Sequence, residues 1–350
     1  MDTKKKILVA PLNWGLGHAT RCIPIVNELI RFNFEPIIAS DGVALELLKK
    51  EFPTLQTLEL PSYKIKYSKK SKHFKLKLIK DSPRLLKTIK KEEKAIAHFI
   101  KTTTISGIIS DNRFGVRHKK VPSVFITHQL KVLSGSTTWL STSIHQNIIS
   151  KFDACWIPDY EGEKNLSGVL GHVKDFDAPL KYLGPLSRFK KQNLAIKHQL
   201  LVLLSGPEPQ RTFLEEKLFK ALESYKGNIC FVKGVVESQQ TNTQHQNMSI
   251  YNYMTSAELE TAINESEIVL SRSGYTTIMD LAKLEKKAFF IPTPGQFEQV
   301  YLAEKLEAED IVPYCTQDEF SIALLEQVKD YKGFTFEDFE CNYKDLFRLF

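Results

Sequence analysis

His18 stands at the end of the loop Asn13-Trp14-Gly15-Leu16-Gly17-His18, directly before an apolar-periodic stretch. Imidazole is the side chain whose ordinary pKa supplies a base near neutral pH. A hydroxyl ionises far above pH 7 and needs such a base within hydrogen-bond reach before it can attack. Asp111 closes the run Ile108-Ile109-Ser110, so its loop should open on the same sheet edge as His18. A second group lies between Ile268 and Ala303. Ser271-Arg272-Ser273-Gly274 ends a β-branched run and opens a helix, which offers backbone N–H groups and a helix dipole to an anion. Arg272 adds a positive charge there. Pro292-Thr293-Pro294-Gly295 ends the next apolar run, and Gln296, Glu298 and Gln299 follow at a helix start. A phosphate cradle beside a carboxylate–amide pair suits a nucleotide-sugar.

Regular elements must hold these groups in place. Strands are expected at Ile7 to Ala10, Ile37 to Ala39, Leu55 to Leu60, Ile108-Ile109, Val124 to Ile126 and Ala154 to Ile157. Helices are expected from Ala19 to about Arg31, from Val43 to Lys50, and from Pro83 toward Lys101, where Asp81 or Ser82 would cap and Pro83 would sit in the first turn. Tyr182-Leu183-Gly184-Pro185 reads as a hinge. Beyond it lie strands at Leu200 to Leu204, Ile229 to Val232, Ser249 to Tyr253, Ile268 to Leu270 and Ala288 to Ile291, with helices from Tyr275 to Lys283 and from near Phe297. Alternating strands and helices predict parallel, doubly wound sheets, whose ligands sit at the strand C-termini. A stretch of amphipathic spacing, Phe336 to Phe350, follows.

The Gly15-Leu16-Gly17 loop also invites a dinucleotide reading, with Asp41 ending the second strand as a ribose partner would. Thr20 holds the place of the third glycine, and His18 and Arg21 crowd the pyrophosphate position.

Composition sets the outer bounds. The chain has 350 residues, a length typical of two domains, with 42% apolar and 25% charged residues, as in ordinary globular proteins. Five cysteines (Cys22, Cys155, Cys230, Cys315, Cys341) show no paired or metal-ligand spacing, which reads as a reduced, cytoplasmic chain. The apolar run after Lys4-Lys5-Lys6 is too short for a signal peptide, and no window reaches the length of a membrane span. The net charge is +7, yet Lys64 to Lys101 alone carries fourteen Lys or Arg against three acids. Tyr63, Tyr67, His73 and Phe74 interleave with those lysines, while Leu85, Leu86, Ile89, Ile96 and Phe99 form an apolar stripe at helical spacing. Such a segment is either a solvated helix face or an attractor of anionic lipid head groups or an acidic acceptor. No nucleic-acid motif accompanies the charge, so nucleic acid is not an expected partner.

The strand–loop–helix unit with Arg272-Ser273-Gly274 and Glu298-Gln299 resembles the donor-binding half of the MurG-type glycosyltransferases and, more distantly, of the UDP-glycosyltransferases. That resemblance implies an α/β fold of the GT-B type, two Rossmann-like doubly wound domains facing across a cleft. Their extents would be 1–184 on the acceptor side, 185–335 on the donor side, and a helix in 336–350 crossing back. It implies donor contacts at Ser205, Gly206 and Arg211 in the loop after Leu204. It further implies a base contact at the Met254 backbone, a ribose contact at Asp280, and the group Gln296, Glu298 and Gln299. Glu208 and two prolines in the Ser205 loop depart from the family's small residues, and Asp280 stands where the family has a glutamate. On the acceptor side, Gly15 and Gly17 and Thr127-His128-Gln129 resemble the family's loops, and Asn112 and Arg113 beside Asp111 are further acceptor-side candidates. Asn13, Trp14 and Leu16 depart from its glycine-rich pattern. In plant-type UDP-glycosyltransferases an aspartate in such a loop orients the catalytic histidine, which implies a His18–Asp111 dyad.

The expectation is an inverting glycosyltransferase without cofactor or metal, since no acidic pair ends a strand as a metal-binding site would require. Its donor would be a nucleotide-sugar, UDP-linked, and its acceptor a lipid-linked or otherwise acidic hydroxyl compound. It would work in the cytoplasm or peripherally on the inner face of the cytoplasmic membrane. A nucleotide-sugar 2-epimerase of the same fold and a non-catalytic nucleotide-sugar-binding subunit are the alternatives.

Overall fold

The computed structural model describes residues 4–63, 74–174, 176–206, 208–337, 339 and 341–350, with the side chains of 74–83 excepted. These residues form two compact units.

The first unit holds residues up to Leu186 and takes up Phe339–Phe350 as well. Its elements are β1 (Lys6–Pro11), α1 (Gly17–Arg31), β2 (Glu35–Ser40), α2 (Gly42–Glu51), β3 (Thr57–Glu59), α3 (Phe74–Thr102), β4 (Gly107–Asp111), β5 (Ser123–Ile126), α4 (Thr138–Ile149), β6 (Ala154–Ile157) and β7 (Leu180–Tyr182). The seven strands run parallel in the order β3-β2-β1-β4-β5-β6-β7. Short β-branched runs such as Ile7-Leu8-Val9 are buried on both faces, as a parallel sheet covered by helices demands. The order reverses between β1 and β4. That is the topological switch point, where a crevice opens beyond the strand ends. Helix α3 begins at Phe74, nine residues before the expected start, and runs through Pro83. Asp81 and Ser82 therefore lie inside the helix and do not open it. Ile96 and the flank of Phe99 pack into a core with Leu8, Ile37 and Ile108, whereas Leu86 of the expected apolar stripe is 58% exposed. Lysines from Lys64 to Lys72, with Tyr67 and His73, lie outside the described residues.

The second unit comprises the described residues from Ser187 to Glu337. It contains β8 (His198–Leu203), α5 (Gln210–Leu222), β9 (Ile229–Val232), β10 (Asn242–His245), β11 (Met248–Tyr251), α6 (Ser256–Asn264), β12 (Ser266–Ser271), α7 (Tyr275–Lys283), β13 (Lys287–Phe290) and α8 (Phe297–Ala308). The sheet order is β10-β11-β9-β8-β12-β13, parallel except for the antiparallel edge strand β10. Its switch point lies between β8 and β12, so the loops at Ser205-Gly206 and Arg272-Gly274 flank the crevice. Leu200, Val202, Phe231, Leu270 and Phe289 anchor the core beneath them.

The chain closes with α9 (Tyr343–Phe347), one short turn of helix where a longer one was expected. Phe347 and Phe350 pack against Trp156, Phe347 also meets Phe32 and Phe34, and Lys5 Nζ donates to the Phe350 carbonyl at 3.0 Å.

Candidate active site

At the switch point of the first unit, Pro11 of β1 pairs with Asp111 of β4, and the Leu12 N–H donates to the Asp111 carbonyl at 2.9 Å. The loop after β1 turns at Gly15, whose φ of +76° suits glycine, and enters α1 at Gly17. His18 thus sits in the first turn of α1, and Arg21, three residues on, shares its face. His18 Nδ1 lies 2.8 Å from Asp111 Oδ1 and 2.9 Å from Arg21 Nη2. Arg21 grips both oxygens of Asp111, its Nε donating to Oδ2 at 2.5 Å and its Nη2 to Oδ1. Cys22 Sγ approaches Oδ2 at 3.6 Å, and Asn112, in left-handed backbone at φ 57°, donates to Oδ1 at 3.2 Å.

The carboxylate can only accept, so at the shorter contact the Nδ1 of His18 carries the proton and Nε2 keeps its lone pair, and the neighbouring Arg21 Nη2 then donates to Asp111 and not to the ring. Burial would push the Asp111 carboxyl up. The charges of Arg21 and His18, and their hydrogen bonds, reverse that and hold it below the usual carboxylate range. For His18, burial lowers the pKa, the Asp111 charge raises it, and Arg21 lowers it again, with a net fall below 6.5. The imidazole is therefore neutral at pH 7, and its side chain keeps 17% exposure. This is the state a general base needs.

Arg21 Nη1 also reaches His128 Nδ1 at 3.1 Å. A guanidinium only donates, so His128 accepts through Nδ1 and holds its proton on Nε2. Gln129 follows with its N–H on Thr127 Oγ1 at 3.0 Å, and its backbone is hydrogen-bonded to His145. His18, Asp111, Asn112 and His128 thus come together around Arg21, with Gly15 and Gly17 shaping the entry. Arg21, which the sequence offered only as an obstacle to pyrophosphate, is the hub. The available signal was its spacing of three from His18 on a helix that faces Asp111.

Arg113 does not join them. It is fully buried, ion-paired to Asp41 and Glu92 at 2.8 Å each, and it donates to the Pro61 carbonyl at 2.8 Å. Tyr63 donates to Glu92 at 2.5 Å, and the Gly115 N–H does so at 3.0 Å. Arg113 is therefore a brace that ties β2, α3 and the β4 loop, and no acceptor reaches it. Asp41 is spent on the same brace and on Asn13 Nδ2 at 3.2 Å, which removes it as a ribose partner.

In the second unit the loop after β8 presents Ser205 and Gly206 to solvent, the glycine at φ +107°. Arg211 is turned away to Glu208 at 2.6 Å, Glu215 at 2.5 Å and the Lys233 carbonyl at 3.2 Å. Its charge is already balanced by two carboxylates, contrary to the expected phosphate contact. Arg272 departs further from expectation. It is buried, and its guanidinium donates to the carbonyls of Ile291, Pro292 and Gln210 and to Gln317 Oε1 at 2.7–3.1 Å. No carboxylate pairs with it among the described residues, and burial lowers its pKa to about 10. Arg272 holds three loops together from below through its Nη atoms, while its buried Nε has no hydrogen-bond partner among the described residues.

Ser273 is likewise spent, donating to the Gln299 carbonyl at 2.7 Å, while Gly274 caps α7. Gln299 accepts the Thr293 N–H at 2.8 Å and so fixes the proline-rich loop. Gln296 caps α8 with its Oε1 buried and unpartnered, and Glu298, in the first turn, is partly exposed. Asp280 on α7 accepts from Ser187 Oγ at 2.6 Å; burial raises its pKa to about 6, against the nearby charge of Arg188. Met254 lies partly exposed after β11, close before the Thr255 cap of α6. What the second unit offers an anion at its switch point is therefore a pair of helix starts and an exposed Ser-Gly loop.

Residues 210–332 match the glycosyltransferase family 28 C-terminal domain. Over 213 residues the chain is 25% identical to the UDP-N-acetylglucosamine--N-acetylmuramyl-(pentapeptide) pyrophosphoryl-undecaprenol N-acetylglucosamine transferase of Buchnera aphidicola subsp. Schizaphis graminum. That match spans 59% of this chain and 56% of the Buchnera enzyme. It is 22% identical over 351 residues to an uncharacterized glycosyltransferase of Methanosarcina acetivorans, covering 92% of this chain and 89% of the relative. Among solved structures, the kitacinnamycin glycotransferase superposes with a TM-score of 0.63 at 12% identity, covering 94% of this chain and 90% of that one. The chain has the GT-B fold, its second unit matches the glycosyltransferase family 28 C-terminal domain, and the relatives it resembles are named glycosyltransferases.

Proposed function

We propose that the enzyme moves a hexosyl or N-acetylhexosaminyl group from a UDP-linked sugar to an acceptor hydroxyl, with inversion and without a metal ion. His18 Nε2 takes the hydroxyl proton as the oxygen attacks the anomeric carbon. The bond to the diphosphate breaks on the opposite side, and UDP leaves with the electron pair. Asp111 keeps the imidazole in the correct tautomer and stabilises the imidazolium that forms. The helix starts at Gly274 and Gln296, with the Ser205-Gly206 loop, receive the leaving diphosphate. Such a terminus supplies about 0.3–1 kcal/mol when exposed and up to ~2 when partly buried. Glu298 binds sugar hydroxyls and Asp280 those of the ribose. The lipid-linked, pyrophosphate-bearing acceptor in the name of the Buchnera relative supports a lipid-linked or acidic acceptor here.

The observation that carries the reading is the 2.8 Å contact between His18 Nδ1 and Asp111 at the switch point. His18→Ala should cut turnover roughly 10²–10⁴-fold, because general-base catalysis contributes that much. Nucleotide affinity should stay near wild type, since the base acts on the acceptor. UDP at a hundred times its dissociation constant should stabilise both proteins by about 2.7 kcal/mol in a thermal-shift assay. Near-wild-type turnover in His18→Ala removes the residue from the mechanism, and no shift with any nucleotide removes the donor.

A further inference from the structure

His18 and Asp111 ride on two separate loops, so their contact depends on how those loops are held. Leu16, the cap residue of α1, makes no side-chain cap hydrogen bond, and the helix that carries His18 thus starts without a local cap. Asn13, five residues before His18, anchors the loop from its other end. Its Nδ2 donates to Asp41 Oδ2 at 3.2 Å, and its Oδ1 accepts the Ala44 N–H at 3.3 Å. We propose that Asn13 is a positioning residue of the transfer reaction, holding the His18 loop in register with Asp111 through Asp41 and Arg113. The inference rests on the proposed base role of His18 and adds a residue that acts through that base.

Three observations carry it. The first is an exchange of partners. Asp41 stands at the N-cap of α2 but makes no side-chain cap bond. Its carboxylate takes Asn13 on one oxygen and Arg113 Nη1, at 2.8 Å, on the other. The Ala44 N–H, which a capping carboxylate would take, goes to Asn13, so the start of α2 is closed by a residue of the His18 loop. The second is fit. Gly42, at φ +52°, leaves the room for this arrangement, since a Cβ there would collide with Asn13 Nδ2. The third is convergence on Arg113. This residue lies two positions beyond Asp111, and Ser110 Oγ donates to its carbonyl at 2.6 Å. Its Nη1 also reaches the Pro11 carbonyl at 3.4 Å, where β1 ends and the His18 loop begins, and Ser40 Oγ donates to that carbonyl at 2.8 Å. One fully buried guanidinium, itself part of the Asp111 loop, therefore fixes the root of the His18 loop directly and its Asn13 through Asp41.

A displacement of about 1 Å in a catalytic group can cost roughly 10²-fold in rate, so slack in this anchor falls on turnover. If Asn13 served only to close α2, its loss would fall on stability alone.

Nitrogen-15 NMR titration of the full chain reads His18 without any substrate, and His18→Ala assigns its signal among the nine histidines. Wild type should show one tautomer, with the proton on Nδ1, and a midpoint below 6.5. In Asn13→Ala the loop opens to water and the burial that lowers the midpoint is lost. The midpoint should rise toward 6.5 and the tautomers should mix. Release of UDP from UDP-N-acetylglucosamine, with water as acceptor, should fall roughly 10–10²-fold in kcat. KM and the UDP thermal shift should stay near wild type. Asn13→Asp sets two carboxylates face to face and should do at least as much damage. Adding Asp41→Asn to it exchanges the roles of the two side chains and should restore both signal and rate. An unmoved His18 signal in Asn13→Ala overturns the proposal, whatever the melting temperature does. A raised KM with kcat intact overturns it too, because Asn13 would then be a substrate contact. Near-wild-type UDP release in His18→Ala is a separate outcome, which removes the base reading itself and the proposal with it.

Discussion

Arg21 helps set the ionisation of His18, the proposed base. Burial lowers the imidazole pKa most, the Asp111 carboxylate raises it, and the Arg21 guanidinium paired to that carboxylate lowers it again. The acid limb of kcat/KM should therefore have its midpoint below 6.5, with full activity above it, because the depressed pKa keeps His18 unprotonated. Arg21→Met removes the charge that disfavours the imidazolium, and the midpoint should move to higher pH. The variant also leaves a buried carboxylate unpaired, at a cost of about 3–5 kcal/mol, so the profile belongs well below its melting temperature. An unmoved limb would mean that Arg21 only packs. His145 adds a pH effect on stability. Burial, and secondarily His128, lower its pKa to about 4, and its Nε2 has no partner between Phe114 and Phe125. The unfolded chain binds a proton near pH 6.5 that the folded chain refuses, so stability falls from pH 6.5 toward 4, by about 2–3 kcal/mol. Unfolding of His145→Leu at pH 7 and pH 5 should show a smaller loss than wild type.

Among the elements, the strand–loop–helix units were legible wherever a β-branched run met a glycine or proline stop. Ile268-Val269-Leu270 before Ser273-Gly274, and α7 from Tyr275 to Lys283, came straight from that pattern. Helix α4 was not legible, because Thr138–Ile149 mixes hydroxyl, β-branched and exposed apolar residues and shows no clean period. Edge strand β10 was hidden by its polar Asn-Thr-Gln-His sequence. The donor and acceptor loops could be placed, but the duties of their arginines could not. Whether Arg113 or Arg272 meets solvent or carbonyls depends on chain segments many residues away, which no local spacing encodes. The correction has consequences. Arg272→Met strips charge-assisted bonds from Ile291, Pro292, Gln210 and Gln317, each worth about 1.5–3 kcal/mol, so chemical denaturation should show a loss of about 3 kcal/mol or more. A change in nucleotide affinity without that loss would restore the arginine to the donor site. In the proposed ribose contact Asp280 accepts best as a carboxylate, and burial raises its pKa to about 6. UDP should thus bind more tightly as pH rises from about 5 to 7, and Asp280→Asn should flatten that dependence.

For the whole molecule, charge and chain path matter most. In the described part of α3, Arg84, Lys87, Lys90, Lys91, Lys94 and Lys101 are exposed, whereas Glu92 is buried against Arg113. No helix among the described residues is long and apolar enough to cross a membrane. If the lysine face meets an anionic leaflet, each basic residue there contributes about 1 kcal/mol, screened beyond ~8–10 Å at moderate salt. Flotation should then recover the protein with anionic vesicles at low salt and release it at high salt. Equal recovery with neutral vesicles would leave α3 as a solvated face.

The return of Phe347 and Phe350 to Trp156 also sets a timetable for synthesis. The ribosome delivers the strands of the first unit early, then spends about 150 residues on the second before the covering phenylalanines emerge. At about 5–20 residues per second, the apolar ground around Trp156, Phe32 and Phe34 waits roughly 8–30 s for its lid. A nascent chain stalled short of Phe339 should thus leave that apolar ground open to chaperones.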